Sequence, residues 1–136
     1  MADEVRVAIE SDADVVVARQ RARELAAGLG LSGTDLTLLA TAISEIARNI
    51  TTYAERGEVA VSVVATGRRR GVRVVASDEG PGIANLELAL RDGYTSGVGL
   101  GMGLPGTRRL VDEFDIVSAP GEGTTVTFVK WGPELG

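Results

Sequence analysis

The period of apolar and polar positions changes along the chain, and each change marks an element. Glu4–Ile9 alternates and is rich in Val, which predicts a strand. Ser11 or Asp12 is placed to cap a helix that runs to about Ala27, with Gly28 and Gly30 ending it. Ser32 or Thr34 caps a second helix, to about Ala54, and Gly57 stops it. In that helix Leu36, Leu39, Ile43, Ile46, Ile50 and Tyr53 recur every third or fourth residue, forming one continuous stripe. Glu58–Thr66 and Gly71–Ser77 read as two strands joined by an exposed turn at Arg68–Arg70. A polar, glycine-rich segment follows from Asp78 to about Gly99, with one short apolar stretch, Ile83–Leu90. From Met102 the pattern is helical through Phe114. Asp115–Ala119 and Thr124–Lys130 then form a hairpin around Pro120-Gly121-Glu122-Gly123. The order β, α, α, β, β, loop, α, β, β predicts an α+β fold. The expected form is a two-layer α/β sandwich with helices on one face of a mixed β-sheet. The 136 residues fit a single domain, 1–136.

Composition narrows the chemistry. Hydrophobic residues make up 44%, enough for a core, but aromatics only 4%, so the core must be aliphatic. A net charge of −5 argues against a nucleic-acid or anionic-membrane partner. There is no cysteine and no histidine. Thiol nucleophiles, thiolate zinc sites, Ser-His-Asp triads and an internal phospho-histidine are therefore excluded. No signal peptide or membrane span is visible, which predicts a cytoplasmic protein.

Three features carry chemistry. Glu45 and Asn49 stand four residues apart on the second helix, hence on one face, with Thr41, Arg48 and Thr52 on the same polar side. A carboxylate there can activate a hydroxyl, and an amide oxygen can ligate Mg²⁺. Asp78-Glu79-Gly80-Pro81-Gly82 follows an apolar strand directly. A carboxylate at a strand end, with glycines behind it, can accept from a ligand amino group that approaches closely. Gly97, Gly99, Gly101, Gly103 and Gly106 run straight into a helix, where free N–H groups and the helix N-terminus make a cradle for a polyphosphate. No Gly-x-x-x-x-Gly-Lys-Ser/Thr loop is present. Gly101-Met102-Gly103-Leu104-Pro105-Gly106 lacks the buried strand that a dinucleotide fingerprint needs before it.

Taken together, Glu45-x-x-x-Asn49, Asp78-x-Gly80-x-Gly82, Gly99-x-Gly101-x-Gly103-Leu104 and Gly123-Thr124 resemble the four nucleotide-binding boxes of the GHKL (Bergerat-fold) ATPases. The resemblance narrows to the RsbT-like serine/threonine kinases, switch proteins of the bacterial stressosome. It does so through Glu45-Ile46-Ala47-Arg48-Asn49-Ile50, Asp92-Gly93-Tyr94-Thr95-Ser96-Gly97, Leu110–Ile116 and Gly121–Thr127, and it covers Val5 to Trp131.

That resemblance implies a set of roles. Glu45 would be the catalytic base, and Asn49 would hold Mg²⁺. Asp78 would bind the adenine amino group, helped through water by Thr124 or Thr125. Gly80 and Gly82 would make room for the base. Gly97, Gly99, Leu100, Gly101, Met102 and Gly103 would line the phosphates of ATP. Residues 84–98 would be a short lid. Arg48 and Arg91 are each candidates to stabilise the transferring phosphate. The implied substrate is a STAS-domain scaffold or antagonist protein, and the implied output partner is a PPM-type phosphatase. Three other functions fit less well. An anti-sigma kinase binding a sigma factor directly is disfavoured by the Asp92–Gly97 segment. A nucleotide-gated adaptor would not need Glu45. The ATP-binding half of a sensor histidine kinase would need a partner chain carrying the histidine.

Overall fold

A computed structural model describes residues 4–54, 56–80 and 103–134. The elements are β1 (Glu4–Ile9), α1 (Asp12–Ala26), α2 (Gly33–Tyr53), β2 (Gly57–Thr66), β3 (Arg69–Asp78), α3 (Gly103–Leu110), β4 (Glu113–Ser118) and β5 (Thr124–Glu134). The strands form one five-stranded sheet in the order β1-β2-β3-β5-β4. The expected two-layer α/β architecture is present, but the sheet expected to be mixed is antiparallel at all four described pairings. The reason is connectivity. Two helices, not one, lie between β1 and β2, so the chain returns reversed. β3 and β4 run the same way, each antiparallel to β5, but β5 lies between them and no parallel pair forms among the described strands.

The core lies between the helices and the sheet face that carries Val7, Ile9, Val59, Val61, Val72, Val74, Ala76, Val126 and Phe128, all buried. From α2, Leu39, Ile43, Ile46 and Ile50 fill it, as the stripe predicts. Each such side chain contributes about 1.5–3 kcal/mol on burial. The helix α2 is buried more widely than its stripe. Ala40, Ala42, Ser44 and Ala47 are also buried, because α1 and α3 both pack against it. Ser44 Oγ donates to Ala40 O and accepts from Arg19 on α1 at 3.5 Å. The polar side of α2 is therefore a narrow strip rather than a half-cylinder.

Local signals place most helix ends. Ser32 caps α2 by accepting the Asp35 N–H at 3.0 Å. Ser11 occupies the N-cap of α1 but makes no side-chain cap bond; Asp14 instead reaches back and accepts the Glu10 N–H at 2.9 Å. Several boundaries differ from the sequence reading, and the last strand runs on to Glu134 rather than ending at Lys130. The hairpin turn is Gly67-Arg68, so Arg69 and Arg70 join Gly71 in β3. Gly57 does not stop a helix; it opens β2. Glu113 and Phe114 are strand, not helix: Asp112 already donates its N–H to Val129 O, and Phe114 pairs with Phe128. The spacing of Leu110, Val111 and Phe114 suits a helix, but cross-strand burial against Phe128 decides the outcome.

Candidate functional site

One rung of the sheet positions the site. Ile9, Gly57, Asp78, Thr124 and Ser118 are register partners in turn across all five strands. Asp78 continues the inward row Val72, Val74, Ala76, so its carboxylate points to the helix side at the end of β3, where the apolar row ceases. Its Oδ1 accepts the Gly80 N–H at 2.9 Å, which holds the carboxylate and leaves its other oxygen as a second acceptor.

The space around Asp78 comes from missing side chains. A Cβ at Gly57 would run into Ser77 O, and would sit 2.8 Å from Ile50 Cγ2 and 3.1 Å from Asp78 Cβ. A Cβ at Gly123 would collide with Asp78 O. At Gly80 it would lie 2.6 Å from Ala54 Cβ, so the chain leaving β3 passes directly under the C-terminal end of α2. Beside the carboxylate stands Thr124. Ser118 Oγ donates to Gly123 O at 2.9 Å, which uses its one proton. The 2.8 Å contact between Ser118 and Thr124 is then a bond donated by Thr124, and Thr124 Oγ1 is left as an acceptor facing the Asp78 rung. Thr125 pairs with Ser77 and Val117 and lies on the opposite face of the sheet. Of the two threonines read from sequence, the fold brings only Thr124 to Asp78.

One helical turn before Ile50 come the α2 residues. Glu45 is largely buried, with 13% of its side chain exposed, and accepts from Arg48 Nη1 at 3.2 Å. Asn49 is half-buried on the next turn of the same strip. Ser44 faces α1 on one flank of α2, with Glu45 and Asn49 on the strip beside it; α3 also packs against α2. The glycine run enters α3 at Gly103, its first residue, and ends within it at Gly106; Gly106 and Thr107 are buried on that helix. Gly82, Gly97, Gly99, Leu100, Gly101, Met102, Arg91 and the expected lid, 84–98, lie outside the described residues.

Comparison with known proteins gives this arrangement a family. The model of the histidine kinase-like ATPase domain matches residues 9–130. The chain belongs to the histidine kinase-like ATPase family. Within the family it is 43% identical over 131 residues to the serine/threonine-protein kinase RsbT of Bacillus subtilis (strain 168), covering 96% of this chain and 98% of that one. At that identity and coverage the chain is a protein kinase of the RsbT type. Two solved structures share the histidine kinase-like fold. One contains the RsbU and RsbW domains of a Mycobacterium tuberculosis protein, with a TM-score of 0.65 and 22% identity; the alignment covers 98% of this chain and 34% of that one, about a third of its length. The other is the mycobacterial sensor histidine kinase MprB, with a TM-score of 0.58 and 19% identity, covering 99% and 100%.

The donor set of this histidine kinase-like site suits a nucleotide with a metal. Among the described residues no three acidic side chains cluster to hold an ion by themselves. A divalent cation here would take the Asn49 amide oxygen and complete its shell from phosphates and water, the mode Mg²⁺ tolerates well. Two contributors escape a reading of sequence alone. Gly57 looks like a helix stop, and Ser118 like an ordinary strand end. The only local hint for Ser118 is a Ser and a Thr flanking a glycine-rich hairpin, which places two hydroxyls opposite one another.

Proposed function

We propose that the chain transfers the γ-phosphoryl group of ATP to a serine or threonine hydroxyl of a STAS-domain scaffold protein and, once released, activates an output enzyme such as a PPM-type phosphatase in the cytoplasm. The observation that carries the nucleotide site is Asp78 fixed by Gly80 N–H, with the acceptor Thr124 opposite and no side chain at Gly57 or Gly123. Such a recess takes an exocyclic amino group: the second oxygen of Asp78 accepts its N–H, and Thr124 accepts from a bridging water. Kinship with a serine/threonine kinase supports the reaction.

Asn49 would hold Mg²⁺, which when bound neutralises phosphate charge. Gly97 to Gly103 would wrap the phosphates. Glu45, kept at the strip by Arg48, would accept the proton of the attacking hydroxyl. As that oxygen bonds to the γ-phosphorus, the bond to the bridging oxygen breaks and ADP leaves.

The test is transfer of label from γ-labelled ATP with Mg²⁺ to a STAS-domain scaffold of the same genome, run beside Glu45→Ala. Acid-stable label on the scaffold, lost in the variant while ATP still binds, supports the kinase. Bound ATP with no transfer to any STAS protein offered would leave a nucleotide-gated adaptor as the better account.

A further inference from the structure

The end of the sheet farthest from Asp78 carries a second constellation that the kinase chemistry does not use. Arg69 and Asp78 are the two ends of β3, nine steps apart, or about 30 Å. At the Arg69 end lies an open recess of about 380 Å³, bordered by Asp35, Arg69, Asp112, Lys130, Trp131 and Pro133. Its floor is Lys130, buried, with Nζ 3.5 Å from Asp35 and 3.8 Å from Asp112. That lysine is already neutralised. Its wall is Trp131, the only tryptophan of the chain. The Arg69 guanidinium lies 5.6 Å from the Trp131 ring centroid and donates to Gly132 O. The indole N–H is tied to Glu113, so the ring is held by partners on two strands.

The recess itself is mixed in charge, with Asp35, Asp112 and Glu113 beside Lys130 and Arg69, but the tip next to it is basic. The net charge is −5, yet Arg68, Arg69 and Arg70 stand together at the β2–β3 tip, all exposed. None of the three has a carboxylate ion-pair partner among the described residues. The N-terminus of α2, capped by Ser32, opens on the same recess and adds partial positive charge. A fixed aromatic ring stacked with arginine, at the edge of an open recess with room for more than one large side chain, has the composition of an interaction hot spot.

We propose that this end of the sheet docks an acidic segment of a protein partner, with one apolar side chain of the segment seated beside Trp131 and its carboxylates on Arg68, Arg69 and Arg70. A long polyanion such as nucleic acid suits it less, because the acidic remainder of the chain repels extended phosphate backbones, while the partly exposed Trp131 ring offers an apolar contact that a phosphate chain does not use. The distance to Asp78 means that a partner held here leaves the nucleotide site open. The inference is independent of the kinase reading.

Trp131 is its own reporter. The probes are a synthetic peptide of glutamates around a central phenylalanine, its Phe→Ala counterpart, a lysine-rich counterpart, and a single-stranded DNA oligonucleotide of equal charge. The glutamate–phenylalanine peptide should shift Trp131 emission saturably, and the Phe→Ala peptide should bind roughly tenfold or more weakly. Arg68→Glu with Arg70→Glu should weaken binding roughly tenfold or more at low salt, and less at high salt, with an unchanged Tm and unchanged ATP binding. In Trp131→Phe the emission signal must vanish while a labelled peptide reports weaker binding. No change in Trp131 emission up to millimolar peptide overturns the proposal. Equal binding of the lysine-rich peptide, or of the DNA, overturns it as well.

Discussion

Gly57 and Asp78 are direct partners across the β2–β3 ladder, and the side chain missing from one is the space beside the carboxylate of the other. A methyl at position 57 would meet Ser77 O, backbone that has nowhere to move in the sheet, as well as Ile50 on the helix above. Gly57→Ala should therefore cost about 1–3 kcal/mol of stability through overpacking, and should weaken ATP binding beyond what the lower stability explains. Thermal melts with and without nucleotide separate the two effects. An unchanged melt would show that β2 gives way at no cost and that Gly57 does not shape the recess.

Asp78 is tied by one oxygen to the Gly80 N–H, and this makes its amide variant informative. In Asp78→Asn the carbonyl oxygen would keep that bond, so the amide N–H₂ would take the place of the second acceptor and oppose a ligand amino group. The loss is of order 1.5–3 kcal/mol, or roughly 10- to 150-fold in the Kd for ATP, with the fold intact. Calorimetric titration measures it. Binding unchanged in this variant would remove the adenine amino group from Asp78.

Thr124 and Thr125 are adjacent in sequence and on opposite faces of the sheet, which allows a paired test. Thr124→Val should weaken ATP binding by about 0.5–1.5 kcal/mol, since it deletes one acceptor and the bond to Ser118. Thr125→Val should leave binding unchanged. Ser118→Ala should fall between them, because it frees Thr124 without removing it. Equal effects at 124 and 125 would contradict the register.

The sequence patterns that survive into the structure are those set by local geometry. Glu45 and Asn49 share a strip because four residues make about one helical turn, and Asp78 ends an apolar strand because the alternation ends there. What could not be read depends on contacts between distant parts of the chain. Which threonine faces Asp78 is fixed by the pairing of β3 with β5, some fifty residues apart. Phe114 becomes strand through Phe128, and Gly57 gains its role only where α2, β2 and β3 converge. The arginines at 68–70 were legible as an exposed turn, but not that the turn is Gly67-Arg68 and that Arg69 stacks on Trp131.

Lys130 lies in the inward row of β5, opposite Val72, where a charge is tolerated because Asp35 on α2 and Asp112 before β4 flank it. It thereby ties the start of α2 to the junction between α3 and β4. Both carboxylates are partly exposed, so the loss of a fully buried pair, about 3–5 kcal/mol, must be discounted for solvent screening. Lys130→Met should destabilise by about 1–2 kcal/mol in urea titration, with little effect on ATP binding. A more stable variant would mean that the apolar stem of Lys130 outweighs its charge.

Glu45 and Arg48 form the last test, because one is asked to do proton chemistry and the other only to hold it. Glu45→Gln keeps the shape and removes the base. Phosphotransfer should fall about 10²- to 10⁴-fold while ATP affinity changes little. Arg48 is half-exposed and its pair with Glu45 adds at most about 1 kcal/mol to stability, so Arg48→Ala should leave the melt almost unmoved. If Arg48 positions the carboxylate, that variant should lower kcat with KM for ATP unchanged, and Arg48→Lys should restore part of it, since an ammonium can still reach Glu45. If Arg48 contacts the transferring phosphate instead, Arg48→Ala should stay slow on top of Glu45→Gln, the two losses multiplying. A positioning residue predicts the opposite: once Glu45 is gone, removing Arg48 changes nothing further. The double variant, measured by single-turnover transfer to the protein substrate, decides between them.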